Sequence, residues 1–291
     1  MSGIASSELV LNPDGSVYHL ALHPEHVKDH VLLVGDPGRV DLITSMMDKV
    51  TAQAHNREFY TKVATYRGKE ITVMSTGIGT DNIDIAINEL DAAVNIDLKS
   101  REIKKEHRSL NLIRLGTSGA LQEDIPVDSL VASKYGLGFD GLMNYYRWES
   151  TKEEISLRDA FIHHTAYPMD LAKPYMVESD QDLRLKIAPA MTSGITATAS
   201  GFYAPQGRVL RIPLAHPEMN ENISSFTWKE ERVTNYEMET SALYGLSRTL
   251  GHKACTVCAI IANRKRQEYS KDYKVTVKRM IGEVLERLTA Q

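Results

Sequence analysis

Apolar positions along this chain fall into short unbroken runs that alternate with helical stripes. Val31-Leu32-Leu33-Val34 is one such run, closed by Gly35, and it predicts a buried strand. Pro37 then stands where a first helical turn begins, with Val40, Leu42, Ile43, Met46 and Met47 at helical spacing behind it. Ile71-Thr72-Val73-Met74 predicts a second strand, leading into the small-residue turn Ser75-Thr76-Gly77-Ile78-Gly79 and a helix striped by Ile83, Ile87 and Leu90. Leu112-Ile113-Arg114-Leu115 predicts a third strand, expected to end in a turn at Gly116-Thr117-Ser118-Gly119, and Leu130-Val131-Ala132 a fourth. From Met238 onward Leu243, Leu246 and Leu250 follow helical spacing and Gly251 ends the helix. A strand through Ile260-Ile261 and an amphipathic helix from Tyr273 to Leu288 close the chain.

Repeated strand–turn–helix units predict a single α/β domain over residues 1–291, with a mostly parallel sheet and helices on both faces. No linker-like stretch divides it. Asn95 to Ser109 is dense in charge, and Lys99, Arg101, Lys104, Lys105, His107 and Arg108 are offset by Asp97, Glu102 and Glu106. That balance reads as a solvated surface insertion rather than a binding patch. The stretch from Asp140 to Asp182 shows little pattern.

Composition narrows the function classes. A chain of 291 residues that is 42% apolar can bury a large core. A net charge of −4 gives no reason to expect nucleic acid as a partner, so any anion site must be built locally. No run approaches the roughly 20 apolar residues of a membrane span. Met1 to Leu11 has neither a basic start nor a long apolar stretch, so no signal peptide is expected and the cytoplasm is the expected compartment. Cys255 and Cys258 are spaced C-x-x-C but lie in the apolar run Ala254 to Ile261. A strand there points the two thiols to opposite faces, and no second Cys or His pair completes a zinc set, so no metal is expected.

Candidate chemistry collects at the strand ends. Glycine-rich segments follow the first three strands, Arg39 comes directly after the first, and Arg114 directly precedes the third. Two guanidinium groups, a Thr hydroxyl and backbone N–H groups at helix starts make a plausible phosphate site. The chain has no G-x-x-x-x-G-K-[ST], which argues against an NTP-hydrolysing loop. Nor does a G-x-G-x-x-G open a helix, which argues against a dinucleotide cofactor.

Eight segments in order carry a more specific signal: Tyr18-His19-Leu20, Gly35-Asp36-Pro37-Gly38-Arg39, Arg57-Glu58-Phe59, Ser75 to Gly79, Arg114 to Ala120, Phe202-Tyr203-Ala204-Pro205-Gln206-Gly207-Arg208, Asn235-Tyr236-Glu237-Met238-Glu239 and Ile261-Ala262-Asn263-Arg264. Together they resemble the nucleoside phosphorylase superfamily and, within it, the uridine phosphorylases. The resemblance implies a three-layer α/β/α domain around a twisted, mixed central sheet. It implies reversible phosphorolysis of uridine, with deoxyuridine and thymidine as further candidates, giving uracil and a ribose 1-phosphate for pyrimidine salvage.

The resemblance also implies a division of labour. Gly35, Arg39, Arg57, Arg114 and Thr117 correspond to the phosphate site, and His19, Met238 and Glu239 to the ribose site. Phe202, Gln206, Arg208 and Arg264 correspond to the base site. Arg208, Gln206, Glu239 and Arg114 are the residues implied in catalysis. In the family His19 and Arg57 come from the neighbouring subunit, which implies a homodimer with shared sites and leaves a hexamer open. No cofactor is implied beyond inorganic phosphate as co-substrate. Bacterial relatives usually carry a serine where Asn82 stands, beside the position of Glu58, to help hold a monovalent cation. Asn82 puts that ion in doubt. A purine-type or broad phosphorylase, a nucleosidase and a non-catalytic nucleoside-binding protein stand as the alternatives.

Overall fold

The computed structural model describes residues 3–290. Strand β1 (His30–Val34) runs into helix α1 (Pro37–Thr44). Asp36 caps that helix by accepting the Gly38 N–H at 2.9 Å, while Pro37, which has no N–H, occupies the first helical position. Strands β2 (Lys49–Asn56), β3 (Phe59–Tyr66) and β4 (Lys69–Ser75) form an antiparallel meander that brings β4 alongside β1 in parallel. Helix α2 (Thr80–Asn95) leads to a small hairpin, β5 (Ile96–Asp97) with β6 (Glu102–Ile103). Most charged side chains of residues 97–107 face solvent there.

The second half begins with β7 (Asn111–Ala120), β8 (Leu130–Gly138), α3 (Lys152–Thr165), β9 (Tyr175–Glu178), α4 (Gln181–Ile187) and β10 (Thr192–Thr198). Then come α5 (Met219–Ser225), β11 (Thr227–Trp228), β12 (Glu231–Glu237), α6 (Thr240–Thr249), β13 (Lys253–Asn263), β14 (Glu268–Tyr269) and α7 (Tyr273–Thr289).

The main sheet is mixed, in the order β11-β12-β10-β8-β13-β7-β1-β4-β3-β2. Parallel pairing joins β4, β1, β7 and β13 on one side and β8, β10 and β12 on the other, and β13 meets β8 antiparallel. A further pairing of β12 with β7, through Asn235–Ala120 and Tyr236–Gly119, closes β7, β13, β8, β10 and β12 into a ring.

The unbroken apolar run of β1 follows from burial on both faces. Val31 and Leu33 pack beneath α2 and α6 with Ile83, Ile87, Leu243 and Leu246. Leu32 and Val34 face the opposite layer, with Val40, Ile43, Ile281 and Val284 of α1 and α7. Full burial of each such side chain contributes roughly 1.5–3 kcal/mol. The cysteines separate as the strand period requires: Cys255 joins the α1/α7 layer and Cys258 lies against Arg114.

Two expectations need correction. Gly116-Thr117-Ser118-Gly119 is not a turn, because β7 continues through it to Ala120. Strand β13 pairs along its length there (Gly116–Cys258, Thr117–Ala259, Ser118–Ile260), and β12 takes up its last residues. The stretch from Asp140 to Asp182, unpatterned in sequence, holds α3 and β9. Its signal was a capping box: Thr151 Oγ1 accepts the Glu154 N–H at 3.2 Å, and Glu154 Oε2 accepts the Thr151 N–H at 2.8 Å. Among the described residues no helix is long and apolar enough to cross a membrane.

Candidate active site

A cavity of about 670 Å³ opens at the carboxyl ends of the parallel strands. The β1–α1 turn contributes Gly35, Asp36 and Arg39, and the β4–α2 turn contributes Gly77, Ile78 and Asn82. Arg114 and Thr117 come from β7, and Met238 and Glu239 from the β12–α6 junction. Phe202, Gln206 and Arg208 come from the loop after β10. A site spread over several strand ends is the normal arrangement in an α/β sheet.

At one end two arginines approach each other. The Arg39 guanidinium donates to the Leu115 carbonyl at 3.0 Å, which fixes it against the middle of β7. Burial first, and the positive charge of Arg114 second, push its pKa below the usual arginine range. Arg39 makes no ion pair among the described residues, so its charge is left for an oxyanion at this end.

Arg114 is itself held between two carboxylates. Its Nη2 pairs with Glu239 Oε2, and its Nη1 lies 3.3 Å from Glu237 Oε2. Burial works against its charge, but Glu239 and Glu237 outweigh that and hold its pKa above the usual arginine range. The guanidinium folds back across Gly116: a Cβ added there would sit 3.0 Å from Arg114 Cζ. Only glycine leaves that space. Glu239 uses its other oxygen to accept the Gly79 N–H at 2.8 Å, from a glycine at φ +99° that other residues rarely adopt. Burial raises the pKa of Glu239, with Arg114 opposing and Glu237 reinforcing.

The other end is built from a second pair of arginines. Arg208 lies with its Cζ 3.7 Å from the centre of the Phe202 ring, and its Nη1 donates to Gln206 Oε1 at 2.7 Å. That contact leaves the Gln206 NH2 as a donor, on a side chain only 4% exposed. Arg264 donates through Nη1 to the Gln206 carbonyl, and its Nη2 is buried without a partner. Burial, and after it the charge of Arg264, pull the Arg208 pKa down to about 10.

Most of the expected residues therefore share one cavity: Gly35, Arg39, Arg114, Thr117, Phe202, Gln206, Arg208, Met238 and Glu239 line it, and Arg264 braces it from behind. His19 and Arg57 do not line it. They sit together elsewhere: Asn56 Nδ2 donates to the His19 carbonyl at 3.0 Å, and the Arg57 guanidinium lies 5.9 Å from the Tyr18 ring centre. His19 Nδ1 is 2.6 Å from Glu89 Oε1, which leaves Nε2 as the nitrogen available to a ligand. Glu237, Ser118, Tyr236 and Tyr269 also line the cavity and were not anticipated. For Glu237 a signal existed: it stands two residues before Glu239, on the same face of an extended chain.

The chain is similar to known proteins along most of its length. The sequence model of the phosphorylase superfamily matches residues 29–290. A uridine phosphorylase of Thermococcus kodakarensis (strain ATCC BAA-918 / JCM 12380 / KOD1) is 32% identical over 279 residues, covering 91% of this chain and 84% of its own. A uridine phosphorylase of Escherichia coli (strain K12) is 29% identical over 261 residues, 87% of this chain and 88% of its own. Among solved structures, a Trypanosoma brucei nucleoside phosphorylase described as showing uridine phosphorylase activity superimposes with a TM-score of 0.88 at 30% identity. That match covers 97% of this chain and 100% of that one. The chain belongs to the phosphorylase superfamily.

Proposed function

We propose that this protein catalyses the reversible phosphorolysis of uridine to uracil and ribose 1-phosphate in pyrimidine salvage. The observation that carries the reading is a single cavity with an arginine pair at each end, Arg39 with Arg114 and Arg208 with Arg264, and the carboxylate of Glu239 on its wall. The relatives named as uridine phosphorylases support the same substrate.

In this reading inorganic phosphate is the attacking co-substrate. Gly35, Arg39, Arg114 and Thr117 hold it beneath the anomeric carbon, and Arg57 of a second copy completes its shell. Glu239 accepts from the ribose 2′- and 3′-hydroxyls, Met238 packs against the sugar, and His19 of the second copy bonds the 5′-hydroxyl. The exposed cluster of His19, Tyr18 and Arg57 outside this chain's own cavity supports that sharing. The working unit is then a homodimer, which could assemble further into a hexamer. As the glycosidic bond lengthens, the sugar gains positive charge between an anionic nucleophile and an anionic leaving group. Arg208 and the Gln206 NH2 meet the charge that develops on uracil, while Phe202 covers the ring. Positioning and fixed dipoles then supply most of the rate.

Pyrimidine choice follows from the late strand. Purine-type relatives place an Asp in the base pocket after this strand to protonate the leaving base, and the corresponding stretch here, Ile261-Ala262-Asn263-Arg264, has none. Gln206 and Arg208 line the pocket instead and suit a pyrimidine dione. The test is to follow uridine with and without phosphate. Uracil and ribose 1-phosphate should form only when phosphate is present, and inosine should be a poor substrate. Uracil released without phosphate would mean hydrolysis, and no product under either condition would mean a binding protein. The buried free thiols suit a cytoplasmic location.

A further inference from the structure

Thr198 lies outside the cavity, one hydrogen bond behind it. It is the last residue of β10 and is fully buried. Its Oγ1 lies 2.6 Å from Glu237 Oε1 and 3.0 Å from the Ser241 backbone nitrogen. The backbone N–H can only donate, so the hydroxyl accepts from Ser241 and its own proton goes to the carboxylate.

Glu237 is occupied entirely by the protein. Besides Thr198 it accepts the Glu239 N–H at 2.9 Å and the Thr240 N–H at 3.0 Å, and it faces Arg114 Nη1 at 3.3 Å. Little acceptor capacity remains for a substrate. What Glu237 does instead is tie down the start of α6, where Glu239 stands, and one nitrogen of the guanidinium whose other nitrogen holds Glu239. A rotation of the Glu237 carboxylate would move Glu239, on the ribose side, and Arg114, on the phosphate side.

We propose that Thr198 is a positioning residue for nucleoside binding: by fixing Glu237 it sets where Glu239, at the start of α6, meets the ribose. The inference rests on the phosphorolysis reading above. The competing account is that Thr198 only packs β10 against β12. The two differ in what the hydroxyl is for, since serine keeps it, valine keeps the shape without it, and cysteine keeps the size with only a weak donor.

The experiment compares Thr198→Val and Thr198→Ser with wild type. Thr165→Val serves as a control, because its buried hydroxyl bonds only the Phe161 carbonyl. Wild type is assayed first with uridine and phosphate, and absence of turnover there defeats the functional reading, not this one. With an active wild type, T198V is expected to raise the KM for uridine roughly tenfold or more, the scale of one hydrogen bond to a charged group. The KM for phosphate should rise less than that for uridine, because Arg39 rests on the Leu115 carbonyl and not on Glu237. T198S should return the uridine KM to within about threefold of wild type. T165V should lower thermal stability and leave both KM values unchanged. A T198V enzyme with wild-type uridine KM and kcat overturns the proposal. A T198S enzyme as impaired as T198V does so too. If T198V does not fold, Thr198→Cys takes its place, and wild-type uridine kinetics in T198C have the same overturning force.

Discussion

Arg114 and Glu239 form an ion pair that water scarcely reaches, the residues being 5% and 4% exposed. Glu237 shares the same guanidinium, so removing the cation strands two carboxylates at once. Breaking a buried pair from one side typically costs about 3–5 kcal/mol. Arg114→Ala should therefore lose both stability and activity, seen as a much lower melting temperature and at least a hundredfold fall in kcat/KM, on the order expected for a charged active-site donor. A variant that melts like wild type would contradict the buried pairing.

Gly116 tests the same guanidinium more gently. A methyl group at Gly116→Ala would meet Arg114 Cζ at 3.0 Å and Cys258 Sγ at 3.0 Å, and β7 is paired with β13 at this residue. The side chain that must yield is Arg114. Steady-state kinetics should show a loss in kcat/KM of roughly tenfold or more, beyond what any fall in melting temperature explains. Full activity in G116A would show that the folded-back guanidinium is not the working one.

Burial, and then the charge of Arg114, disfavour the charged form of Arg39, and a bound oxyanion should favour it. Inorganic phosphate alone should raise the melting temperature, with a stabilisation near 2.7 kcal/mol once phosphate reaches about a hundred times its dissociation constant. Arg39→Ala should abolish the effect. Thermal shift measured against phosphate, with chloride at matched ionic strength, is the check.

At the opposite end, Arg208→Met keeps a long apolar stem over Phe202 and deletes the charge. The turnover of uridine should fall by about 10²–10³, the usual loss for one donor aimed at developing negative charge. The KM for phosphate should hardly move. Equal damage to both substrates would mean that Arg208 supports the fold instead.

Burial pushes the Cys258 thiol up to about 12, and Cys255 higher still. A thiol with a raised pKa stays protonated, and therefore unreactive, until the pH approaches that value. Near pH 8 the native protein should resist alkylation at both positions, and denaturation should release two reactive thiols. Mass spectrometry after iodoacetamide treatment decides. Rapid labelling of the native chain would show that these residues are not shut in the sheet.

Much of this was legible from the chain alone where local chemistry and fold agree. Pro37 behind Gly35 marked the first helix, and the unbroken run at Val31 to Val34 marked a strand covered on both faces. The Gly116 to Gly119 segment misled because its glycines look like a turn, whereas the sheet needs small side chains there for Arg114 to fold back. Strands β2 and β3 carry a polar face and gave no continuous apolar run. Glu237 escaped notice because its role depends on Thr198 and the start of α6, which meet it only in three dimensions. The role proposed for His19 and Arg57 depends on a second copy, which no local pattern in the sequence encodes.

Strand β13 has a consequence for how the molecule is made. It is the last long strand in the sequence, yet it lies between β7 and β8 near the middle of the sheet. Until residue 263 has left the ribosome, both neighbours carry unsatisfied edges, and unpaired edges recruit other chains. Folding must wait for nearly the whole polypeptide, so a chain halted ahead of Lys253 would be prone to aggregate rather than survive as a smaller, weaker version of the protein.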